Sequence, residues 1–144
     1  FVAMPFRGAY NASKYAIEGL SDTLRLELKN TNIYVSLIEP GPIISQFRAN
    51  AVIALQQHID IENSVHREKY LGVLERLNKK GPAAPFTLPP EAVLKRVIFA
   101  LESKRPKPRY YVTFPTYLFA LLKRLLSHRQ LDYWLAKAGN DGKQ

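Results

Sequence analysis

The sequence contains no cysteine and no long hydrophobic run among its 144 residues. The lack of cysteine excludes disulfides, a thiolate nucleophile and a zinc–thiolate site. The three histidines, His58, His66 and His128, do not have the close spacing of metal ligands, so we expect no metal site. The longest apolar run, residues 117–122, is far too short to span a bilayer. With no secretory signal at its start, the chain is expected to be a cytoplasmic globular protein.

The net charge of +9 lies almost entirely in the last third of the chain. Residues 95–144 contain 11 basic and three acidic side chains, whereas residues 1–94 contain 10 basic and nine acidic ones. Basic and leucine side chains are mixed between residues 117 and 135, which is typical of an amphipathic helix attracted to anionic lipid. This basic tail, residues 114–144, therefore either makes a peripheral membrane contact, closes a pocket or joins two subunits. The side chains that suggest the membrane contact are Lys123, Arg124, His128, Arg129, Tyr133 and Trp134.

The order of apolar patterns predicts an α/β fold. From Asn11 onward the spacing is helical, and residues 30–32 stop the helix. Residues 33–38 follow with the β-branched and aromatic content of a buried strand. A helix followed at once by a buried strand indicates a parallel sheet, in which ligands lie beyond the carboxyl ends of the strands.

The first helix has two faces of different composition. One is a narrow stripe of small and apolar residues that would let another backbone approach closely: Ala12, Ala16, Gly19, Leu20, Thr23 and Leu24. The other is a polar face made of Glu18, Asp22, Arg25 and Lys29.

Further helices and one more strand are predicted beyond residue 45. Helical spacing runs from about residue 62 to 79, from Pro90 onward and from Pro115 into the tail, which is expected to fray from Gly139. Residues 109–113 have the composition of a short strand.

Tyr10 and Lys14 stand four residues apart in the run Tyr-Asn-Ala-Ser-Lys, so a phenol and an ammonium group share one helical face. A side chain that exchanges a proton with a substrate oxygen needs a pKa suited to that exchange. A nearby cation lowers the pKa of a phenol from about 10 and so suits it to this task. Taken alone, the pair would also fit an aromatic residue at a helix entry and a solvated lysine. Ser13 would point away from this face and is assigned to helix packing.

A proline–glycine turn, residues 40–45, follows the predicted strand at its carboxyl end. Together with the Tyr10 and Lys14 motif, it resembles the short-chain dehydrogenase/reductase family at the level of motifs. The order of elements extends this resemblance to about Thr113. The long segment after the turn and the leucine-rich basic tail resemble the hydroxysteroid or retinol dehydrogenase-like branch.

The resemblance implies a fold, a cofactor and a set of site residues. The fold would be a Rossmann-like doubly wound parallel sheet that binds NADP or NAD, with NADP preferred. Tyr10 would be the general acid/base, and Lys14 would lower the pKa of the phenol and bind the nicotinamide ribose. The turn would hold the nicotinamide carboxamide and the cofactor phosphates through Pro40, Gly41, Pro42, Ile43 and Ser45.

Several parts of the family pattern lie before the tyrosine, where this chain has only nine residues. These parts are a glycine-rich loop, an asparagine on a central helix and a catalytic serine. The resemblance therefore implies that residues 1–113 are the C-terminal half of the cofactor-binding domain. We expect the chain alone to be inactive and the complete protein to be a homo-oligomer.

Residues 45–84 fall where the family covers its substrate. Their apolar members suit a small hydrophobic alcohol or carbonyl substrate: Phe47, Val52, Ile53, Leu55 and Ile59. His58 and His66 are interpreted as surface or groove residues of this segment.

Two other functions fit parts of the sequence. A noncatalytic or truncated member of the family would serve as a binding module or a membrane-surface module through the basic tail. Nucleic-acid binding is suggested by the charge and by residues 104–109, but it leaves the Tyr10 and Lys14 pair and the turn unexplained. We therefore expect no nucleic-acid partner.

Overall fold

The computed structural model describes residues 2–3, 7–79, 81–82 and 84–139. Within these ranges the chain forms helices and two short strands. In chain order they are α1 (Gly8–Glu27), β1 (Leu37–Glu39), α2 (Phe47–His58), α3 (Arg67–Asn78), α4 (Glu91–Glu102), β2 (Arg109–Tyr111), α5 (Phe114–Leu125) and α6 (His128–Gly139).

The two strands pair in parallel, which confirms the predicted α/β class. Leu37 lies opposite Arg109, and Glu39 lies opposite Tyr111. Parallel neighbours need a long crossover connection, and α2, α3 and α4 form it here. Helix α4 packs on β1. The arrangement agrees with part of a Rossmann-like sheet.

Strand β1 is shorter and less buried than its sequence predicts. It begins at Leu37 rather than Ile33, and its three residues are half-buried. The ladder cannot extend toward Ile33 because the facing residue is Pro108, which has no N–H to donate. The last bonds at this end run from Leu37 N to the Pro108 carbonyl (2.9 Å) and from Ser36 Oγ to the Lys107 carbonyl (2.8 Å).

Helix α1 begins at Gly8, three residues before its predicted start, and ends at Glu27. Local bonds stop it in the predicted place, since Thr31 Oγ1 donates to the Leu28 carbonyl (2.8 Å) and accepts from Ile33 N (3.1 Å). Its polar face, rather than its small-residue stripe, faces the sheet. Glu18 and Asp22 are half-buried there, whereas Leu20 in the stripe is 63% exposed.

The segment after the turn contains two helices, where the sequence predicted one. Helix α2 was missed because its apolar residues lie on more than one face, as Val52 and Ile53 illustrate. Helix α3 begins at Arg67 rather than near Glu62 because side-chain bonds compete with the helix before it. In one of these bonds Asp60 accepts from Asn63 Nδ2 at 2.8 Å.

The last helical region is divided in two by a capping box. Leu126 is extended, Ser127 N donates to Gln130 Oε1 (3.0 Å), and Gln130 N donates to Ser127 Oγ (3.4 Å). The sequence predicts that the chain frays from Gly139 onward. Helix α6 includes Gly139, and residues 140–144 lie outside the described part of the chain.

The buried side chains cluster around β2 and the two helices that follow it. Among the residues whose burial is described they are Tyr110, Val112, Thr113, Thr116, Leu131 and Leu135. No helix in the described part of the chain combines the length and the apolar character needed to cross a membrane.

Candidate functional site

Tyr10 and Lys14 lie one turn apart at the start of α1. Lys14 Nζ is 5.3 Å from the centroid of the Tyr10 ring, within the range of a cation–π contact. Both side chains are exposed, and Tyr10 keeps 47% of its surface accessible. The phenol and the ammonium group are therefore close together and accessible at the start of α1. Their catalytic roles stay a prediction.

Tyr10 lies near the N-terminal end of α1. The first turn of α1 contains no acidic residue, and the N-terminal end of a helix carries partial positive charge. Ser13 Oγ donates to the Tyr10 carbonyl oxygen at 2.7 Å. The Ser13 hydroxyl is thus bonded within its own helix, in agreement with its assignment to helix packing.

The proline–glycine turn is tightly packed against the start of α5. Gly41 has φ of 75°, the left-handed region that favours glycine. A Cβ atom at this position would overlap the hydroxyl oxygens of Thr113 and Thr116. The sequence analysis missed this pair of threonines, and the one signal for it was their spacing of three residues, which starts at the last residue of the second predicted strand.

The second half of the turn runs beside the segment that leads to α4. Ile43 forms a parallel bridge with Leu88. Ile44 N donates to the Leu88 carbonyl (3.0 Å), and Leu88 N donates to the Pro42 carbonyl (3.1 Å). These bonds hold residues 42–44 in an extended path that leads away from the carboxyl end of β1.

Ser45 ends the turn at the beginning of α2. Its Oγ atom accepts a hydrogen bond from Phe47 N at 3.4 Å. A hydroxyl group also has one proton to donate, so Ser45 keeps a donor for a second partner. The side chain is exposed, as a cofactor-binding role would require.

Phe47 joins the two predicted parts of the site. Its ring meets that of Tyr10 edge-on, with centroids 6.1 Å apart and an angle of 61° between the planes. Because Phe47 is only two residues beyond Ser45, the contact brings the end of the turn to the start of α1. Both rings are about half exposed, with Phe47 at 60%.

The other apolar residues assigned to a substrate pocket divide into two groups. Val52 and Leu55 are half-buried and lie on α2, a helix that packs with α3. Ile53 and Ile59 are exposed, at 53% and 37% of their surface. Phe47 is thus the member of the group for which a contact with Tyr10 is observed.

The three histidines lie at or next to the ends of helices, and all three are exposed. His58 ends α2, His66 precedes α3 and His128 begins α6.

An ionic cluster links α1, β1 and β2. Arg109 Nη1 lies 3.0 Å from Glu18 Oε2 and 2.9 Å from Glu39 Oε1, and Nη2 lies 3.1 Å from Asp22 Oδ2. Glu18 and Asp22 lie on the helix that carries Tyr10, and Glu39 is the last residue before the turn. The cluster therefore connects the two predicted parts of the site on their sheet side.

The charges in this cluster shift the pKa values of its members. Burial raises the pKa of Glu18, but hydrogen bonds and charge attraction, including those of Arg109, outweigh it and lower the value. The bond from Arg25 and the charge of Arg109 lower the pKa of Asp22. For Arg109, burial acts to lower the pKa, and its bonds with Glu39 and Glu18 raise it further than burial lowers it. All three groups are therefore charged at neutral pH.

The motif residues fall within a segment that matches a known family. A family model for short chain dehydrogenase matches residues 1–55, which include Tyr10, Lys14 and the whole turn.

Three known proteins illustrate what the chain is similar to. It is 46% identical over 131 residues to the uncharacterized oxidoreductase YbbO of Escherichia coli (strain K12), covering 91% of this chain and 42% of that protein. It is 32% identical over 128 residues to an NADPH-dependent 3-dehydrocapnine reductase of Ornithobacterium rhinotracheale, covering 89% of this chain and 43% of that protein. Retinol dehydrogenase 8 of Homo sapiens is 45% identical over 42 residues, or 29% of this chain and 14% of that protein. The chain thus spans less than half the length of these relatives.

Proposed function

Because this chain belongs to the short-chain dehydrogenase/reductase family, we propose that it carries the proton-exchanging pair and the nicotinamide-side turn of an NAD(P)-dependent oxidoreductase. The reaction interconverts an alcohol and a ketone or aldehyde. When bound, the nicotinamide cofactor supplies the hydride to the carbonyl carbon, or accepts it from the alcohol carbon.

Tyr10 and Lys14 perform the proton transfer in this proposal. The Tyr10 hydroxyl gives its proton to the carbonyl oxygen during reduction and takes one from the alcohol during oxidation. Lys14 stabilises the negative charge that the phenolic oxygen then bears, and its N–H donors suit the ribose hydroxyls. The observation that carries the proposal is the 5.3 Å distance between Lys14 Nζ and the centroid of the exposed Tyr10 ring.

The turn would hold the nicotinamide end of the cofactor. It lies at the carboxyl end of β1, which is where parallel α/β sheets bind their ligands. Gly41 and Ser45 are exposed, while Pro40, Pro42 and Ile43 are half-buried and shape the backbone between them. NADP is preferred over NAD because one relative is an NADPH-dependent reductase.

We propose a small hydrophobic alcohol or carbonyl compound as the substrate. The exposed Phe47 ring in contact with Tyr10 offers an apolar surface beside the proton-exchanging group. The similarity to retinol dehydrogenase 8 is in line with this class.

The small-residue stripe of α1 is exposed, which suggests that the activity requires a protein surface that this chain does not itself provide. Ala12, Ala16, Gly19 and Leu20 are all exposed, although small and apolar residues usually pack against another element. We propose that the stripe packs against the rest of the family's domain. The isolated 144-residue polypeptide is accordingly expected not to bind NADPH tightly.

The test is a pair of hydroxyl deletions in the full-length protein. Tyr10→Phe should lower kcat by at least about 100-fold, the scale of general acid–base catalysis, and leave NADPH binding unchanged. Tyr15→Phe is the matched control, because Tyr15 lies on the same helix, is 41% exposed and has Lys123 Nζ 5.1 Å from its ring centroid. Equal turnover in the two variants would refute the assignment of Tyr10.

A membrane-surface function of the basic tail is the second candidate. Leu118, Leu121 and Leu125 are exposed along one side of α5, and Arg124 is exposed beside them. On α6, Tyr133 and Trp134 are 64% and 48% exposed. Apolar and basic side chains presented together suit an anionic lipid surface.

A further inference from the structure

The turn after β1 rests on two buried threonines at the start of α5. Thr113 is fully buried, Thr116 is 6% exposed, and their Oγ1 atoms lie 2.8 Å apart. Thr116 Oγ1 also donates to the Pro40 carbonyl oxygen at 3.4 Å. The two hydroxyl groups occupy the space that a side chain at Gly41 would need.

The number of hydroxyl protons determines which threonine donates the hydrogen bond in this pair. A threonine hydroxyl has one proton. Because Thr116 donates its proton to Pro40, Thr113 must donate to Thr116. The bonds thus run from Thr113 through Thr116 to the Pro40 carbonyl, and Thr113 N donates to the same carbonyl at 3.3 Å.

Thr113 makes this bond instead of capping its own helix. It is the N-cap residue of α5, where a threonine oxygen usually accepts a bond from a backbone N–H of the first turn. The Thr113 side chain makes no such bond. Helix α5 begins with backbone bonds alone, from Thr116 N (3.0 Å) and Tyr117 N (3.3 Å) to the Thr113 carbonyl.

We propose that Thr113 and Thr116 are positioning residues for the nicotinamide end of the cofactor, an inference that rests on the proposed function. The carbonyl and N–H of a trans peptide point to opposite sides, and no described peptide bond is cis. Anchoring the Pro40 carbonyl on the threonines therefore directs the Gly41 N–H away from them. It also sets the path of the backbone toward Ile43 and Ser45.

The test replaces each threonine with valine in the full-length protein and measures the Kd of NADPH by fluorescence, with kcat at saturating cofactor. Thr116→Val should weaken NADPH binding about 3- to 10-fold, the value of one hydrogen bond, and change kcat by less than about twofold. Thr116→Ser keeps the hydroxyl and should bind as the wild type does. Thr113→Val leaves the bond from Thr116 to Pro40 in place, so its effect should be smaller, and it serves as the test if Thr116→Val does not fold.

Tyr110→Phe separates positioning from stability alone. Tyr110 is 5% exposed, and its hydroxyl accepts a bond from Lys107 N at 2.8 Å, so this variant also removes a hydrogen-bonded hydroxyl from a buried side chain of β2. It should lower Tm and leave the Kd of NADPH unchanged. If the valine variants bind NADPH as tightly as Tyr110→Phe, the threonines do not position the turn. If the wild-type protein binds neither NADPH nor NADH, the proposed function itself is overturned.

Discussion

Arg109 Nη1 lies 2.9 Å from Glu39 Oε1, although the residue that faces Arg109 across the β1–β2 ladder is Leu37. Residues two apart on a strand share a face, so Arg109 reaches diagonally along β1 to the residue before the turn. The same guanidinium group reaches Glu18 on α1. Within the described residues, the second carboxylate oxygen of Glu39 is buried without a hydrogen-bond partner. Arg109 is thus the main positive charge that stabilises the largely buried Glu39 carboxylate.

Replacing Arg109 with methionine should destabilise the protein. The side chains of Glu18 and Glu39 are 15% and 11% exposed, so the change removes the Arg109 cation from beside two largely buried carboxylates. The free energy of unfolding of the full-length protein should fall by about 1–3 kcal/mol, measured by urea denaturation.

Arg25→Met is the matched control for this change. Arg25 also pairs with Asp22, at 3.0 Å, but both side chains of that pair are more than a third exposed. Exposed ion pairs contribute little, so the free energy of unfolding should fall by less than about 1 kcal/mol. An equal loss in the two variants would contradict the central role of Arg109.

The carboxylates of the Arg109 ionic cluster should make the protein less stable at acid pH. The pKa values of Glu18 and Asp22 are lowered in the folded protein, from 4.5 and 3.8 respectively. Lowered carboxyl pKa values stabilise the folded state above the unfolded values, and this stabilisation disappears as the pH falls through the folded values. The difference in free energy of unfolding between the wild type and Arg109→Met should therefore be constant from pH 6 to 7 and narrow below about pH 4.5. A difference that stays constant down to about pH 2.5 would show that the Arg109 contribution is not electrostatic.

The sequence predicted those features of the site that depend on local structure. Tyr10 and Lys14 share a face because both lie on one helix, and the helix period alone sets their spacing. The turn at Gly41 was likewise visible, because a glycine between two prolines stops a strand. The parallel pairing followed from the order of helix and strand.

The contacts that were missed depend on the register between distant segments. Arg109 meets Glu18 across 91 residues and Glu39 across 70, and neither contact has a local pattern. The polar face of α1 was therefore not recognised as the face toward the sheet. Helix α2 lacked a single apolar stripe, so its contact with Tyr10 through Phe47 was also missed.

Gly41→Ala should disrupt the turn more than its backbone conformation alone requires. The left-handed conformation costs an alanine about 1–2 kcal/mol, and the new Cβ would also overlap the Thr113 and Thr116 hydroxyls. We expect the free energy of unfolding to fall by more than about 3 kcal/mol, with NADPH binding lost. Gly81→Ala separates the backbone cost from the overlap, because Gly81 has φ of 101° but no atom of the described residues, its chain neighbours aside, within 4 Å of the position of a Cβ. It should lose only about 1–2 kcal/mol, and equal losses would show that overlap with the threonines is not important.

The membrane-surface proposal predicts binding that depends on charge as well as on apolar area. Vesicles of phosphatidylcholine with about 30% phosphatidylglycerol should sediment the full-length protein at low salt, and this binding should weaken as screening increases toward about 0.5 M salt. Arg124→Glu should reduce binding at least about fivefold, since each basic residue near the surface contributes about 1 kcal/mol. Lys29→Glu makes the same charge change at an exposed position just after α1 and should have little effect. If binding to neutral vesicles is equally strong, or if binding does not respond to salt, the tail does not recognise anionic lipid. The exposed leucines of α5 would then be assigned to a contact with another protein surface.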